Sequence, residues 1–300
     1  MILGVHVSKT SLVSDDKKTR ELHDAIKFDL DLLKLNACQL FVMGPRMPIP
    51  VKINEEKIRE VTKEIDVTVH SCYTSVGVWK VFDINMRDAK SKQILKTLEK
   101  ELDIARSVSA WGYVIHIAKM LPEDIAHTMR IIKPIVEKSK VKLLLEMVAS
   151  KSDPEKTYET PEKLDNLMTM IDAECKQDKN ADWYGICIDT AHIWCAGQKI
   201  NTYDEMNGWL DRLTFKHRIQ LFHINGCSSA RGSGKDHHEI PFSVTDKIWH
   251  GIEPKKSGLA AVIDFAVKRK IPLILEVKRG KESDIKRALN TIKELGGIVA

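Results

Sequence analysis

Three hundred residues, 43% hydrophobic and 30% charged, suffice for a packed core and exclude a disordered or fibrous chain. No apolar run reaches the roughly 18 residues of a membrane span, and Met1-Ile2-Leu3-Gly4 lacks the basic start and long apolar stretch of a signal peptide, so an intracellular protein without membrane contact is expected. Lys and Arg outnumber Asp and Glu by 47 to 42, a net charge of +5 that permits a polyanionic partner but does not require one.

In chain order, short β-rich apolar runs occupy residues 2–7, 37–42, 67–70, 113–117, 141–146, 185–189, 219–223 and 273–276. Segments of helical periodicity separate them, as at 91–108 with Ile94, Leu95, Leu98 and Leu102, and at 283–295 with Ile285, Ala288, Leu289 and Ile292. Strand therefore alternates with helix at the spacing of one βα unit, and eight such units predict an α/β fold of the (β/α)8 TIM-barrel type. An open doubly wound sheet would carry a glycine-rich turn after an early strand, which Val7-Ser8-Lys9 does not supply. No linker or composition shift divides the chain, so residues 1–300 are expected to form a single domain. The six cysteines include no CxxC pair and are expected to be reduced thiols, Cys38 and Cys187 in the core and Cys72 and Cys227 open to the site described next.

Six of the runs end in, or next to, a residue able to bind a metal: His70, His116, Glu146, Asp189, His223 and Glu276. Parallel barrel strands are buried, so a charged or imidazole group ending a run such as Leu143-Leu144-Leu145-Glu146 needs a partner to offset its desolvation. Strand C-termini converge on one face of a barrel, where active sites sit. Three more candidates follow closely: His192 in Asp189-Thr190-Ala191-His192, and Asp236 and His238 in Asp236-His237-His238. Nine nitrogen and oxygen donors without a thiolate exceed one tetrahedral ion and suit a cluster of two or three, with zinc the expected metal and manganese or iron the alternatives. His6, His23, His127, His217 and His250 fall outside this pattern, and His237 is open between the two readings. The stretch Ala230-Arg231-Gly232-Ser233-Gly234-Lys235 reads either as a phosphate-contacting loop or as a connector.

With these residues in place, the chain resembles the endonuclease IV family of apurinic/apyrimidinic endonucleases (AP endonuclease family 2, xylose-isomerase-like barrels) over residues 1 to about 292. The matching stretches are Leu145-Glu146, Gly185-Ile186-Cys187-Ile188-Asp189-Thr190-Ala191-His192, Phe222-His223-Ile224-Asn225, Asp236-His237-His238 and Pro272-Leu273-Ile274-Leu275-Glu276. The resemblance implies three zinc ions. His70, His116 and Glu146 would hold the first, and Glu146, Asp189, His223 and Glu276 the second. His192, Asp236 and His238 would hold the third. It implies that Glu146 is catalytic as a bridging carboxylate that orients a metal-bound hydroxide, and that the reaction cuts DNA 5′ to an abasic site, leaving a 3′-hydroxyl and a 5′-deoxyribose phosphate. Removal of 3′ blocking groups is the related activity, and the partner is double-stranded DNA carrying such lesions, with no obligate protein partner. Arg46 and Tyr73 align with DNA-contacting residues of the family. Thr74, Val76 and Ala118 depart from its bacterial pattern. Gly44-Pro45-Arg46 and Asp189-Thr190-Ala191-His192-Ile193-Trp194 look closest to viral members, so the expected location is cytoplasm or nucleus, or a virion or viral replication site. The competing expectation is a metal-dependent sugar isomerase or epimerase on the same barrel, in which the third donor set would have no role.

Overall fold

The computed structural model describes residues 1–13, 15, 18–44, 47–72, 78–79, 89–117, 119–149, 154–176, 182–277 and 279–298. Eight parallel strands close into a barrel: β1 (Leu3–Val7), β2 (Ala37–Phe41), β3 (Asp66–His70), β4 (Gly112–His116), β5 (Lys142–Glu146), β6 (Tyr184–Asp189), β7 (Ile219–His223) and β8 (Leu273–Leu275), with β8 pairing back onto β1. Each lies within one residue, at either end, of the apolar run that predicts it. The surrounding helices are α1 (Leu22–Leu33), α2 (Glu55–Val61), α3 (Ala89–Ser107), α4 (Pro122–Ser139), α5 (Pro161–Glu174), α6 (Thr190–Cys195), α7 (Tyr203–Arg212), α8 (Gly258–Arg269) and α9 (Glu282–Leu295). Their starts are locally encoded. Thr160 and Ser257 cap α5 and α8 through side-chain oxygens, and Thr202 with Glu205 forms a capping box on α7.

Alternation along the strands separates two apolar layers. Outward-facing residues such as Val5, Leu40, Val69, Ile115, Leu145, Ile188, Phe222 and Leu275 join the helices in the main core. Inward-facing Ala37, Val114, Leu144, Cys187, Leu221 and Ile274 form a separate plug inside the barrel. At Gly4 a Cβ would sit 2.2 Å from the Ala37 carbonyl oxygen, so the close approach of β1 and β2 requires glycine there.

Two short antiparallel ribbons rise from the rim at the strand C-termini. Met43–Gly44 pairs with Met47–Pro50 after β2, and Gly226–Cys227 pairs with His238–Glu239 after β7. No helix among the described residues is long and apolar enough to cross a membrane.

Candidate metal centre

The plug supports a polar ring, because a residue two positions further along a strand points to the same side. Val114 is followed by His116, Leu144 by Glu146, Cys187 by Asp189, Leu221 by His223 and Ile274 by Glu276. Thr68, also buried, is followed by His70. The same step brings two residues that the strand-end pattern misses: His6, two beyond Gly4, and Gln39, two beyond Ala37. His6 Nδ1 lies 3.7 Å from Glu276 Oε1, so its expected place outside the rim is corrected. All eight strands thus contribute one polar side chain to the barrel mouth. The signal that finds Gln39 is period-two alternation, and His6 stands next to the end of its run just as His116 does.

The three remaining candidates come from the rim. Asp189 ends β6 and is also the N-cap of α6, where its Oδ1 accepts the His192 amide at 3.0 Å, so one residue fixes both itself and His192. The ribbon after β7 brings Asp236 Oδ2 to 3.3 Å from His192 Nε2 and Asp236 Oδ1 to 2.9 Å from His238 Nε2. His237 instead turns to Ser229 Oγ, 3.1 Å from its Nδ1. The 230–235 stretch is seated on α6 by Gly232 and Gly234 amides donating to the Trp194 and Cys195 carbonyls at 3.0 and 2.9 Å. Those amides are therefore engaged and do not face a phosphate. Cys72 and Cys227, expected to open onto the site, are both buried.

The nine candidates meet in one place. Eight of them have donor atoms within 4.8 Å of one another in the sets His70, His116, Glu146; Glu146, Asp189, His223, Glu276; and Asp189, His192, His238, and Asp236 joins the last set through its contacts with His192 and His238. Cys187 also falls within reach of Glu146 and His223, but burial pushes its thiol up to about 12, which keeps it protonated and a poor donor at neutral pH. A cavity of about 260 Å³ opens over the ring, edged by Ser8, Thr10, Phe41 and Arg279.

Ring tautomers test whether a cation fits. His70 Nδ1, His192 Nδ1 and His238 Nδ1 face the carbonyl oxygens of Ser71, Met147 and Glu276 at 2.9, 2.7 and 2.9 Å. A carbonyl only accepts, so each Nδ1 carries the hydrogen and each Nε2 turns a lone pair inward, as metal-binding imidazoles do. His223 is held the other way round. Gln39 Nε2 donates to Glu276 Oε1, so Gln39 Oε1 accepts from His223 Nε2 at 2.9 Å. His223 Nδ1 is left facing Glu146 Oε1 at 3.0 Å and Glu276 Oε2 at 2.9 Å. A lone pair against two carboxylates is tolerable only with a proton or a metal cation between them. Glu146 Oε2 lies 3.3 and 3.2 Å from His70 and His116 Nε2 yet has no hydrogen-bond geometry with any of the described residues, and neither does His238 Nε2 despite Asp236 nearby. These atoms converge on shared space more than on one another, which fits a coordinated ion.

The electrostatics agree. Burial would raise the Glu146 and Glu276 carboxyls, but His223 and the neighbouring imidazoles hold both well below the usual range. Burial also opposes charging of His238, yet Asp189 and Asp236 bring it up to about 9. Where burial dominates, as at His6 and His116, the imidazole falls below its ordinary value. Asn225 ties the ring together: its Nδ2 donates to Asp189 Oδ2 at 2.8 Å and its Oδ1 accepts the Glu276 amide at 2.8 Å. Arg46 and Tyr73 lie outside the described residues.

The AP endonuclease 2 family model, described as a xylose isomerase-like TIM barrel, matches residues 32–295. The chain belongs to this family. A probable AP endonuclease of African swine fever virus (isolate Pig/Kenya/KEN-50/1950) is 30% identical over 267 residues, covering 85% of this chain and 83% of the viral protein. Among solved structures, "The crystal structure of AsfvAP:AG" superposes with a TM-score of 0.80 at 26% identity, with 98% of each chain covered. Endonuclease IV from Thermus thermophilus superposes with a TM-score of 0.70 at 20% identity, again with 98% of each covered, and supports the fold. As a member of this family, the protein is a hydrolase.

Proposed function

We propose that the protein is a zinc-dependent AP endonuclease of DNA base excision repair, with residues 1–300 acting as a single intracellular domain. It would hydrolyse the phosphodiester 5′ to an abasic site in duplex DNA, leaving a 3′-hydroxyl and a 5′-deoxyribose phosphate, and clear blocked 3′ ends. The observation that carries this reading is Glu146. In a member of the AP endonuclease family, one buried carboxylate turns Oε2 to His70 and His116 and Oε1 to His223 and His192, at 3.0–3.3 Å.

His70, His116 and Glu146 would hold one ion, Glu146, Asp189, His223 and Glu276 a second, and His192, Asp236 and His238 a third. Divalent ions there would lower the pKa of bound water toward about 7 and neutralise charge on the phosphate and the departing oxygen. Glu146 would accept a hydrogen bond from the attacking water and fix it in line with the scissile bond. The ring is reached through the cavity above it, and Arg279, held by its Nε donating to the Val13 carbonyl at 3.1 Å, sets a cation at the edge. Arg46 and Tyr73 are proposed as DNA contacts beside the lesion. The Asp236–His192–His238 group favours this reading over a sugar isomerase or epimerase.

The test is incision of a duplex bearing one tetrahydrofuran site, with and without prior chelation, beside elemental analysis. Cleavage 5′ to the site, its loss on chelation, and close to three zinc ions per chain are expected. Undiminished incision after the ions are removed, or one ion in fully active protein, would overturn the three-metal assignment. Absence of incision by metal-replete protein would overturn the substrate.

A further inference from the structure

Cys195 ends α6, three residues beyond His192, and Cys227 lies in the ribbon after β7 in register with His238. Their Sγ atoms are 3.2 Å apart and both residues are fully buried. The chain around them is held from both sides. The Cys195 thiol donates to the Lys235 carbonyl at 3.0 Å, the Ser229 amide donates to Cys227 Sγ at 3.3 Å, and the Gly232 and Gly234 amides bond to the end of α6. A disulfide needs its sulfurs at about 2.03–2.05 Å, so the pair must close by about 1.2 Å. The amide at Cys227 Sγ stabilises the thiolate that such chemistry needs.

We propose that Cys195 and Cys227 form a reversible disulfide, made when a peroxide oxidises the pair, that staples the loop carrying Asp236 and His238 to the helix carrying His192. The Cys227 thiolate attacks a peroxide oxygen; an S–O bond forms, the O–O bond breaks, and the departing hydroxide takes a proton to leave as water. The Cys195 sulfur then attacks the sulfenic sulfur; the S–S bond forms, the S–O bond breaks, and the hydroxyl leaves with the Cys195 proton as a second water. Two thiols lose two electrons and one peroxide becomes two waters. A dithiol reductant reverses the step by exchange. The cross-link joins elements already in contact, so it fixes the geometry of the three rim residues without displacing them, whatever those residues bind.

Treatment of the intact protein with hydrogen peroxide, followed by thiol titration after denaturation and by peptide mapping, tests this. Starting from six free cysteines, the count is expected to fall to four, with one peptide pair linking 195 to 227 that dithiothreitol releases. Amide exchange across residues 228–235 should slow in the oxidised protein. Cys195→Ser and Cys227→Ser should each abolish the linked peptide; the wild-type map decides the matter if either variant fails to fold. Six thiols surviving the treatment, a link between other cysteines, or oxidation that stops at a sulfinic acid on Cys227 would overturn the proposal.

Discussion

Gln39 is fully buried between a carboxylate and an imidazole, and its amide suits both: the NH2 donates to Glu276 and the carbonyl accepts from His223. A leucine fills similar space but leaves the His223 Nε2 hydrogen without an acceptor and Glu276 without its donor. Gln39→Leu is therefore expected to weaken zinc binding about 10–100-fold, as loss of such orienting partners does elsewhere, with incision recovering when zinc is added in excess. Competition against a chromogenic chelator measures it, and wild-type affinity would refute the role. Glu146→Ala and Glu276→Ala remove donors from the ring itself. Each should abolish incision while circular dichroism stays unchanged, since residues at the mouth of a barrel serve chemistry more than packing. Full activity in either variant would contradict the assigned set.

The ribbon and loop after β7 depend on one aspartate. Asp246 is buried and accepts four backbone amides: Cys227 and Ile248 on Oδ1 at 3.1 and 2.9 Å, and Phe242 and Trp249 on Oδ2 at 2.9 and 3.3 Å. No side chain could sit at Gly226, where a Cβ would meet Asp246 Cγ at 2.8 Å. Asp246→Ala strands these amides in a place poor in water, and the cost is expected to be about 3 kcal/mol. Asp246→Asn keeps one acceptor oxygen and should lie between the two. Urea unfolding of the three proteins gives the comparison; a shift below about 0.5 kcal/mol for the alanine variant would show that other groups satisfy the loop.

For the whole molecule, imidazoles and carboxylates concentrated in one ring couple protons, metal and folding. In the metal-free protein His192 is raised well above the ordinary histidine value, and His238 to about 9, because nearby carboxylates outweigh burial, and His223 is raised likewise by the Cys187 sulfur together with the Glu276 and Glu146 carboxylates. A raised histidine contributes stability that is complete below its unfolded value of about 6.5 and is lost as pH climbs through the folded value. The depressed carboxyls of Glu146, Glu276 and Asp236 contribute above about 4 and lose that contribution only well below it. Chelated protein should therefore melt at its highest temperature near pH 5–6 and at lower temperatures towards pH 9. Zinc affinity should move in the opposite direction, because the cation displaces protons. Thermal scans of chelated protein across this range, with zinc competition at two pH values, check both. A melting temperature that rises from pH 7 to 9 would contradict the coupling.

At this same scale, alternation of apolar strand and amphipathic helix determined the barrel, because both faces of a parallel sheet are buried and the chain must write that as β-rich runs. The polar ends of six runs were legible for the same reason: His, Asp and Glu do not end a buried run without a partner. Gln39 was not legible as a ring member, since it lies well before the end of its run, and His6, one residue from the end of its run as His116 is, is placed in the ring by its contact with Glu276. Only the stagger of the closed sheet brings them level with Glu276, more than two hundred residues away. The tautomer of each histidine, the seating of the 230–235 loop and the meeting of Cys195 with Cys227 likewise depend on contacts between distant segments. Local pattern reports what a segment buries; which atoms it meets is decided by long-range closure of the barrel.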